Sequence, residues 1–355
     1  MSTPLPFVDT DIVREDIDAI LAAQDPQRQL PWAELTGRSV LVTGASGMIP
    51  AYTAAALFRA NQLWNLNIDV TLLVRDADKA RLRFGGLLDA PHVHLCVGDV
   101  TDVDLGDQRF DVIFHGASPA RPSLHAHNPV GTLKTNALGT LHMLDHVADG
   151  GRFVLMSSSE VYGAHSGTEL IGEHDFGPLD PYSVRGCYFE GKRMSETAVA
   201  VYAEQYGIVP TVVRFGHIYG PGMAVDDGRV QADFAADVAA GRDIVLTGDG
   251  TAQRTYTYVA DAVSGMLLAM FKGTQAVYNI ADPRGSVSIR QLADAFVAAR
   301  PELKLAVRFA NGEPPRGVSA QARLGLDSQA LIDLGWVPSV DLASGAARMV
   351  GALSR

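Results

Sequence analysis

Tyr188 and Lys192 stand four residues apart in the segment Cys187-Tyr188-Phe189-Glu190-Gly191-Lys192-Arg193. On a helix that spacing puts both side chains on one face, one turn apart. An ammonium held near a phenol favours the phenolate, so a tyrosine that ordinarily titrates near pH ~10 could serve as a base at neutral pH. Upstream lies Ser157-Ser158-Ser159-Glu160-Val161-Tyr162-Gly163, and further upstream Thr43-Gly44-Ala45-Ser46-Gly47-Met48-Ile49. Together these segments suggest an enzyme that handles a hydroxyl with a nicotinamide cofactor. Ser158 would hydrogen-bond the substrate oxygen, Tyr188 would take its proton, and Lys192 would lower the Tyr188 pKa and hold the nicotinamide ribose.

Those residues need a scaffold, and the pattern predicts an α/β fold. Short apolar runs at Ser39–Val42, Val70–Val74, Val93–Val97, Val112–Phe114, Arg152–Met156 and Thr211–Phe215 alternate with helical stretches at Ala51–Asn61, Thr132–Val147 and Tyr188–Tyr206. That order predicts a doubly wound parallel (Rossmann) sheet. Residues 1–37 read as an N-terminal helical extension, with helical spacing from Asp11 to Ala23. That helix would pack on the outside of the main domain or serve as an oligomer contact. Residues 38–218 form the main dinucleotide-binding domain with the catalytic residues. Residues 219–355, richer in glycine turns, form a smaller C-terminal substrate-binding lobe, some segments of which return to the sheet.

Composition narrows the class. A chain of 355 residues with 47% apolar and 19% charged residues is an ordinary globular protein. Its net charge of −11 argues against nucleic acid as a partner. No apolar stretch is long enough for a membrane span, and no signal region opens the chain. Two cysteines, Cys96 and Cys187, form no disulfide framework, so a cytoplasmic protein is expected. No metal site is expected.

The cofactor site is expected where the first strand ends. Gly44, Ser46 and Gly47 would let the backbone approach a pyrophosphate, and Met48 and Ile49 open the helix whose free N–H groups would bind it. Pro50 takes the third fingerprint position, where the usual small residue lets helix and strand approach. The second strand ends Val74-Arg75-Asp76, without the acid that binds the adenosine ribose. NAD is the expected cofactor. Arg75 could instead pair with a 2′-phosphate and favour NADP, or it is a solvated arginine beside Asp76 and Asp78. Asp99 and Val100 suit an adenine contact, and Ala117 and Ser118 would line the dinucleotide. Glu160 could set the reaction or satisfy backbone donors. Arg229 and Arg254 are candidate anion ligands. Cys187 reads as a packed small residue and His115 as a core histidine.

These residues resemble the extended short-chain dehydrogenases/reductases that modify nucleotide sugars, and most of all the UDP-glucuronic acid decarboxylases (UDP-xylose synthases). The likeness runs from about Gly37 to Trp336. It includes Ala117-Ser118-Pro119-Ala120, Asn128-Pro129, Thr132-Leu133-Lys134-Thr135-Asn136, Ser159-Glu160-Val161-Tyr162-Gly163, Glu190-Gly191-Lys192-Arg193, Asp227-Gly228-Arg229-Val230 and Leu334-Gly335-Trp336. The resemblance implies Ser158, Glu160, Tyr188 and Lys192 as catalytic residues. It implies Lys134 beside the cofactor and Ser159, Arg185, His217, Arg229 and Arg254 at the substrate. It also implies a homodimer and a redox-neutral decarboxylation of a UDP-glucuronic acid-type substrate through a transient 4-keto sugar. A 4-epimerase is the alternative. A 4,6-dehydratase ranks third, because the acid usually found beside the glutamate is Ser159 here. A binding module without turnover conflicts with the intact Ser158, Tyr188 and Lys192. The chain departs from the pattern at Pro50, Val74, Phe189, His217, Gly222 and Asp233, which bear on the nucleotide and the sugar.

Overall fold

The computed structural model describes residues 6–21, 30–119, 121–165, 170–310 and 325–354. Ala23 and Ala120 therefore lie outside the described residues. In chain order the strands are β1 (Ser39–Thr43), β2 (Asp69–Val74), β3 (Val93–Val97), β4 (Phe110–His115), β5 (Val147–Ser158), β6 (Val209–Phe215), β7 (His217–Tyr219), β8 (Ile244–Leu246), β9 (Gln253–Tyr258), β10 (Val277–Ile280), β11 (Ser286–Ser288) and β12 (Val307–Phe309). The helices are α1 (Asp11–Leu21), α2 (Met48–Trp64), α3 (Ala77–Phe84), α4 (Pro122–His127), α5 (Pro129–Leu144), α6 (Gly186–Tyr206), α7 (Val230–Ala239), α8 (Val259–Lys272), α9 (Ile289–Ala298), α10 (Gln329–Asp333) and α11 (Leu342–Leu353).

Seven parallel strands form the central sheet in the order β10-β6-β5-β4-β1-β2-β3. The strands are apolar on both faces because helices cover both. Val40, Val42, Leu72, Phe114, Val154 and Val213 pack into one core layer. Leu41, Leu73, Ile113, Phe153, Leu155 and Val212 pack into the other. This is the two-residue period of a strand sorting neighbours to opposite faces. The strand order reverses between β1 and β4, and ligands bind at the carboxyl ends beside such a reversal. The C-terminal half returns to the sheet through β10, and two small sheets, β11-β9-β7 and β12-β8, form beside it.

Local chemistry fixes the helix ends. Asn128 caps α5 by accepting from the Gly131 N–H, with Pro129 at the first helical position, where a missing N–H costs nothing. Asn65 ends α2 and Gly207 ends α6 in the left-handed region. β5 runs longer than the apolar signal indicates, so Ser158 is its last residue rather than a residue beyond it.

The N-terminal helix packs on α2 and α8. Its Asp16 is 1% exposed and accepts from the hydroxyls of Tyr52 and Tyr258, both at 2.7 Å. Arg348 of α11 lies 3.5 Å from its other oxygen. Burial outweighs these partners and raises the Asp16 pKa. Asp16→Ala is expected to leave two buried phenols without their acceptor and to cost about 2 kcal/mol in urea unfolding, with Asp16→Asn costing less. An unchanged unfolding midpoint in the alanine variant would show that this junction contributes nothing.

Candidate active site

The glycine turn after β1 is shaped by space as well as by backbone angle. Gly44 has φ +64°, and a Cβ there would sit 2.8 Å from the Ala117 Cα. Pro50, the irregular third position, is accommodated from the far side: a Cβ on Gly116 would come within 2.6 Å of the Pro50 ring. Helix and sheet thus approach closely because Gly116 is small, which the sequence pattern alone does not show. The Ser46 hydroxyl is buried without a partner among the described residues, next to the open N-terminus of α2. These features suit a pyrophosphate.

A cleft of about 540 Å3 opens from this turn. Of the residues expected at the dinucleotide, Gly44, Ser46, Gly47, Arg75, Asp99, Val100, Ala117 and Ser118 line it. Met48 and Ile49 form the first turn of α2 just behind. Lys134 is not among the lining residues; it is exposed on α5, and its neighbour Thr135 reaches the cleft instead.

Beneath the cleft lies a buried polar chain. The Thr43 hydroxyl accepts from the N–H groups of Gly116 and Ala117, which directs its proton to Nδ1 of His115 at 3.0 Å. His115 Nε2 then carries the hydrogen and donates to the Thr140 hydroxyl at 3.2 Å, which donates to the Asn136 carbonyl. Burial and the charge of Lys192 push the His115 pKa down to about 3, so the ring stays neutral. The expected core histidine is a support for the loop that follows β4.

The reacting groups meet at the carboxyl edge of β5. Ser158 caps the short turn Ser159–Tyr162, accepting from the Glu160 N–H at 3.2 Å, and shares a hydrogen bond with Tyr188. Tyr188 and Lys192 are one turn apart on α6, as the spacing predicts, and both are buried. Gly191 between them lets α6 approach Asn136 of α5. The electrostatics differ from expectation. The Lys192 ammonium turns to the Met156 carbonyl at 2.8 Å, and its charge is matched by Glu196. Burial pushes its pKa down to about 8. Lys192 is not among the groups that shift Tyr188. Burial first, then the Glu160 carboxylate, push the phenol up to about 12, against the Ser158 bond and Arg229. The expected depression of the Tyr188 pKa by Lys192 is therefore corrected for the ligand-free protein.

The substrate-side residues converge from the C-terminal half. His217 on β7 and Arg254 on β9 lie on adjacent strands, and Arg229 precedes α7. Burial, then Arg254 and Arg229, push the His217 pKa down to about 4. Arg229 is paired with the buried Asp227 through Nη2 at 3.0 Å and through Nε, so part of its fork is already engaged. Arg254 donates to the Gln253 carbonyl at 2.7 Å. Glu160 and Arg185 are exposed and Ser159 half-buried. Cys187 is buried and burial pushes its thiol up, as suits a packed residue rather than a nucleophile. Two contacts were not anticipated. His125 of α4 stacks on the Tyr188 ring at 4.4 Å and 16°, with Nε2 2.7 Å from the Pro119 carbonyl. Gly222 stands where an arginine is usual in the resemblance, and a side chain there would strike Phe7 and Arg83.

A parallel sheet with its strand reversal at β1/β4 and a glycine turn into α2 defines a dinucleotide-binding α/β fold. Residues 40–281 match the NAD dependent epimerase/dehydratase family, and the chain belongs to it. It is 33% identical over 311 residues to UDP-glucuronic acid decarboxylase 6 of Arabidopsis thaliana, covering 86% of each. Among solved structures it resembles a dTDP-glucose 4,6-dehydratase of Streptomyces venezuelae with NAD bound (TM-score 0.70, 25% identity, 88% of this chain and 96% of that one). A UDP-glucuronic acid 4-epimerase of Bacillus cereus in complex with NAD shares the fold (TM-score 0.71, 22% identity, 89% and 98%).

Ultraviolet difference titration of the ligand-free wild type against Tyr188→Phe is expected to show no Tyr188 phenolate below about pH 10. A phenolate signal near neutral pH that the substitution removes would contradict this electrostatic account.

Proposed function

We propose that the protein is a redox-neutral nucleotide-sugar enzyme that decarboxylates a UDP-glucuronic acid-type substrate. The observation that carries this reading is the meeting of Ser158, Glu160 and Tyr188 at the end of β5, with Arg229 near Tyr188 and both Arg229 and Arg254 near His217. The similarity to curated decarboxylases over most of the chain supports it.

In this mechanism Ser158 holds the sugar O4 and Tyr188 removes its proton. A dinucleotide held along Gly44, Ser46, Gly47, Ala117 and Ser118 would supply the hydride acceptor for C4 oxidation, with no net redox change over the cycle. The resulting 4-keto sugar is a β-keto acid, and its carboxylate leaves as CO2 with the electron pair held as an enolate. Glu160 orients the carboxylated carbon and controls protonation at C5. Arg254 and the open edge of Arg229 hold the diphosphate. Lys192 anchors α6 to β5 through Met156 and holds the nicotinamide ribose. Its held position leaves the lowering of the Tyr188 pKa to the bound state.

Other parts of the reading rest on surface features. Val130, Leu133 and Leu138 of α5 and Met194 and Val201 of α6 are exposed apolar residues, and a homodimer through these two helices would bury them. Both cysteines are free thiols, which fits a reducing, cytoplasmic compartment.

Tyr188→Phe is expected to lower turnover of UDP-glucuronic acid roughly 10²–10⁴-fold while sparing dinucleotide binding. Full retained activity would remove Tyr188 from the mechanism. Glu160→Gln should slow CO2 release more than C4 oxidation, read as accumulation of reduced nicotinamide absorbance beside unreleased CO2. A mass-neutral product from the wild type would identify a 4-epimerase instead.

A further inference from the structure

The adenosine end of the cleft is unlike a site built for a free ribose hydroxyl; the inference rests on the dinucleotide reading above. In dinucleotide folds a carboxylate at the end of the second strand accepts from the 2′-hydroxyl. Here β2 ends in Val74, which is 2% exposed and offers no acceptor. Asp76 and Asp99 also line the cleft, each with one oxygen engaged. Asp76 Oδ1 accepts from the N–H groups of Asp78 and Lys79, both at 3.0 Å, and so caps α3. The helix terminus offsets its charge. Asp99 Oδ1 accepts from the Thr101 N–H at 3.0 Å and its hydroxyl at 2.9 Å.

Two long cations share the same wall, Arg75 and Lys79. The Arg75 side chain is 68% exposed, and its contact with Asp99 is 4.0 Å long, beyond hydrogen-bond reach. Its guanidinium is held loosely enough to turn toward a ligand. We propose that this end of the cleft admits a 2′-phosphate, with Arg75 and Lys79 as its ligands, so that the protein binds NADP at least as tightly as NAD.

The chemistry favours the phosphate on three counts. A phosphate monoester carries more than one negative charge near neutral pH and offers three acceptor oxygens. The guanidinium fork suits two of them, and the lysine adds a point charge. The apolar Val74 removes the carboxylate at the end of β2 as a like charge and as an acceptor, and leaves Arg75 and Lys79 on a wall shared with Asp76 and Asp99.

The test is titration of NADPH and NADH into the full chain, freed of co-purified nucleotide, read by nicotinamide fluorescence and by calorimetry. The expected result is a Kd for NADPH equal to or below that for NADH. Arg75→Ala should raise the NADPH value about tenfold or more while moving the NADH value less than about threefold. Lys79→Ala should act in the same direction. A wild type that binds NADH more tightly than NADPH would overturn the inference and leave the proposed function standing. Equal weakening of both ligands by Arg75→Ala would overturn the role of Arg75. Failure to bind either dinucleotide would remove the inference and the proposed function together.

Discussion

A lysine ammonium buried to 3% exposure at the edge of a sheet must be solvated by the protein itself, and much of the site is arranged around that need. Lys192 donates to the Met156 carbonyl, which pins α6 to β5. Glu196, one turn further on, supplies the opposite charge. It is held in turn by Arg214 of β6, which donates to both its oxygens, and by the Ser157 hydroxyl. Arg214 reaches Tyr162, whose hydroxyl donates to Asn279 of β10. One buried charge chain thus crosses β5, β6 and β10 and fixes the helix that carries Tyr188. Removing either Glu196 or Arg214 would leave its partner charged and dry, which is costlier than never having had the pair. The arrangement sets position more than it sets the phenol's acidity.

The residues expected at the substrate are less regular. His217 is held neutral by burial and then by Arg254 and Arg229, so it can donate or accept a hydrogen bond but adds no charge. Gly222 makes room for Phe7 and Arg83, whose guanidinium lies 4.6 Å over the phenyl ring and donates to the Ser46 carbonyl. A cation from α3 therefore sits beside the loop where the resemblance would place one from the C-terminal half. Asp233 is exposed on α7, with its pKa raised by burial and by its acidic neighbours.

The fold and the placing of Ser158, Tyr188 and Lys192 were legible because each has a local signature. Apolar runs, the glycine turn and the four-residue spacing of Tyr188 and Lys192 are all readable within a few residues. What was not legible depends on contacts between distant segments. Gly116 compensates for Pro50 across a helix–sheet contact, and no feature of either residue announces the other. The same spacing rule that found Lys192 also places Glu196 one turn on, yet the turning of the ammonium toward Met156 follows from the length of β5. His125 stacks on Tyr188 because α4, packed on α5, reaches the first turn of α6. Lys134 shares a helix with Thr135, and the helix phase decided which of them meets the cleft.

The carboxylate of Asp16 carries a consequence for the order of assembly. A chain is synthesised from its N-terminus, so α1 emerges before every described strand of the sheet. Its buried acid waits for Tyr258, 242 residues later, and for Arg348 in the last helix. Until then α1 carries an apolar face and a carboxylate with an incomplete set of partners. The intervening strands can pair as they appear, but α1 docks fully only once Tyr258 and Arg348 have been made. Such long-range closure slows folding and exposes the waiting segment to other contacts. A helix made before the sheet is thereby secured only after the sheet has formed.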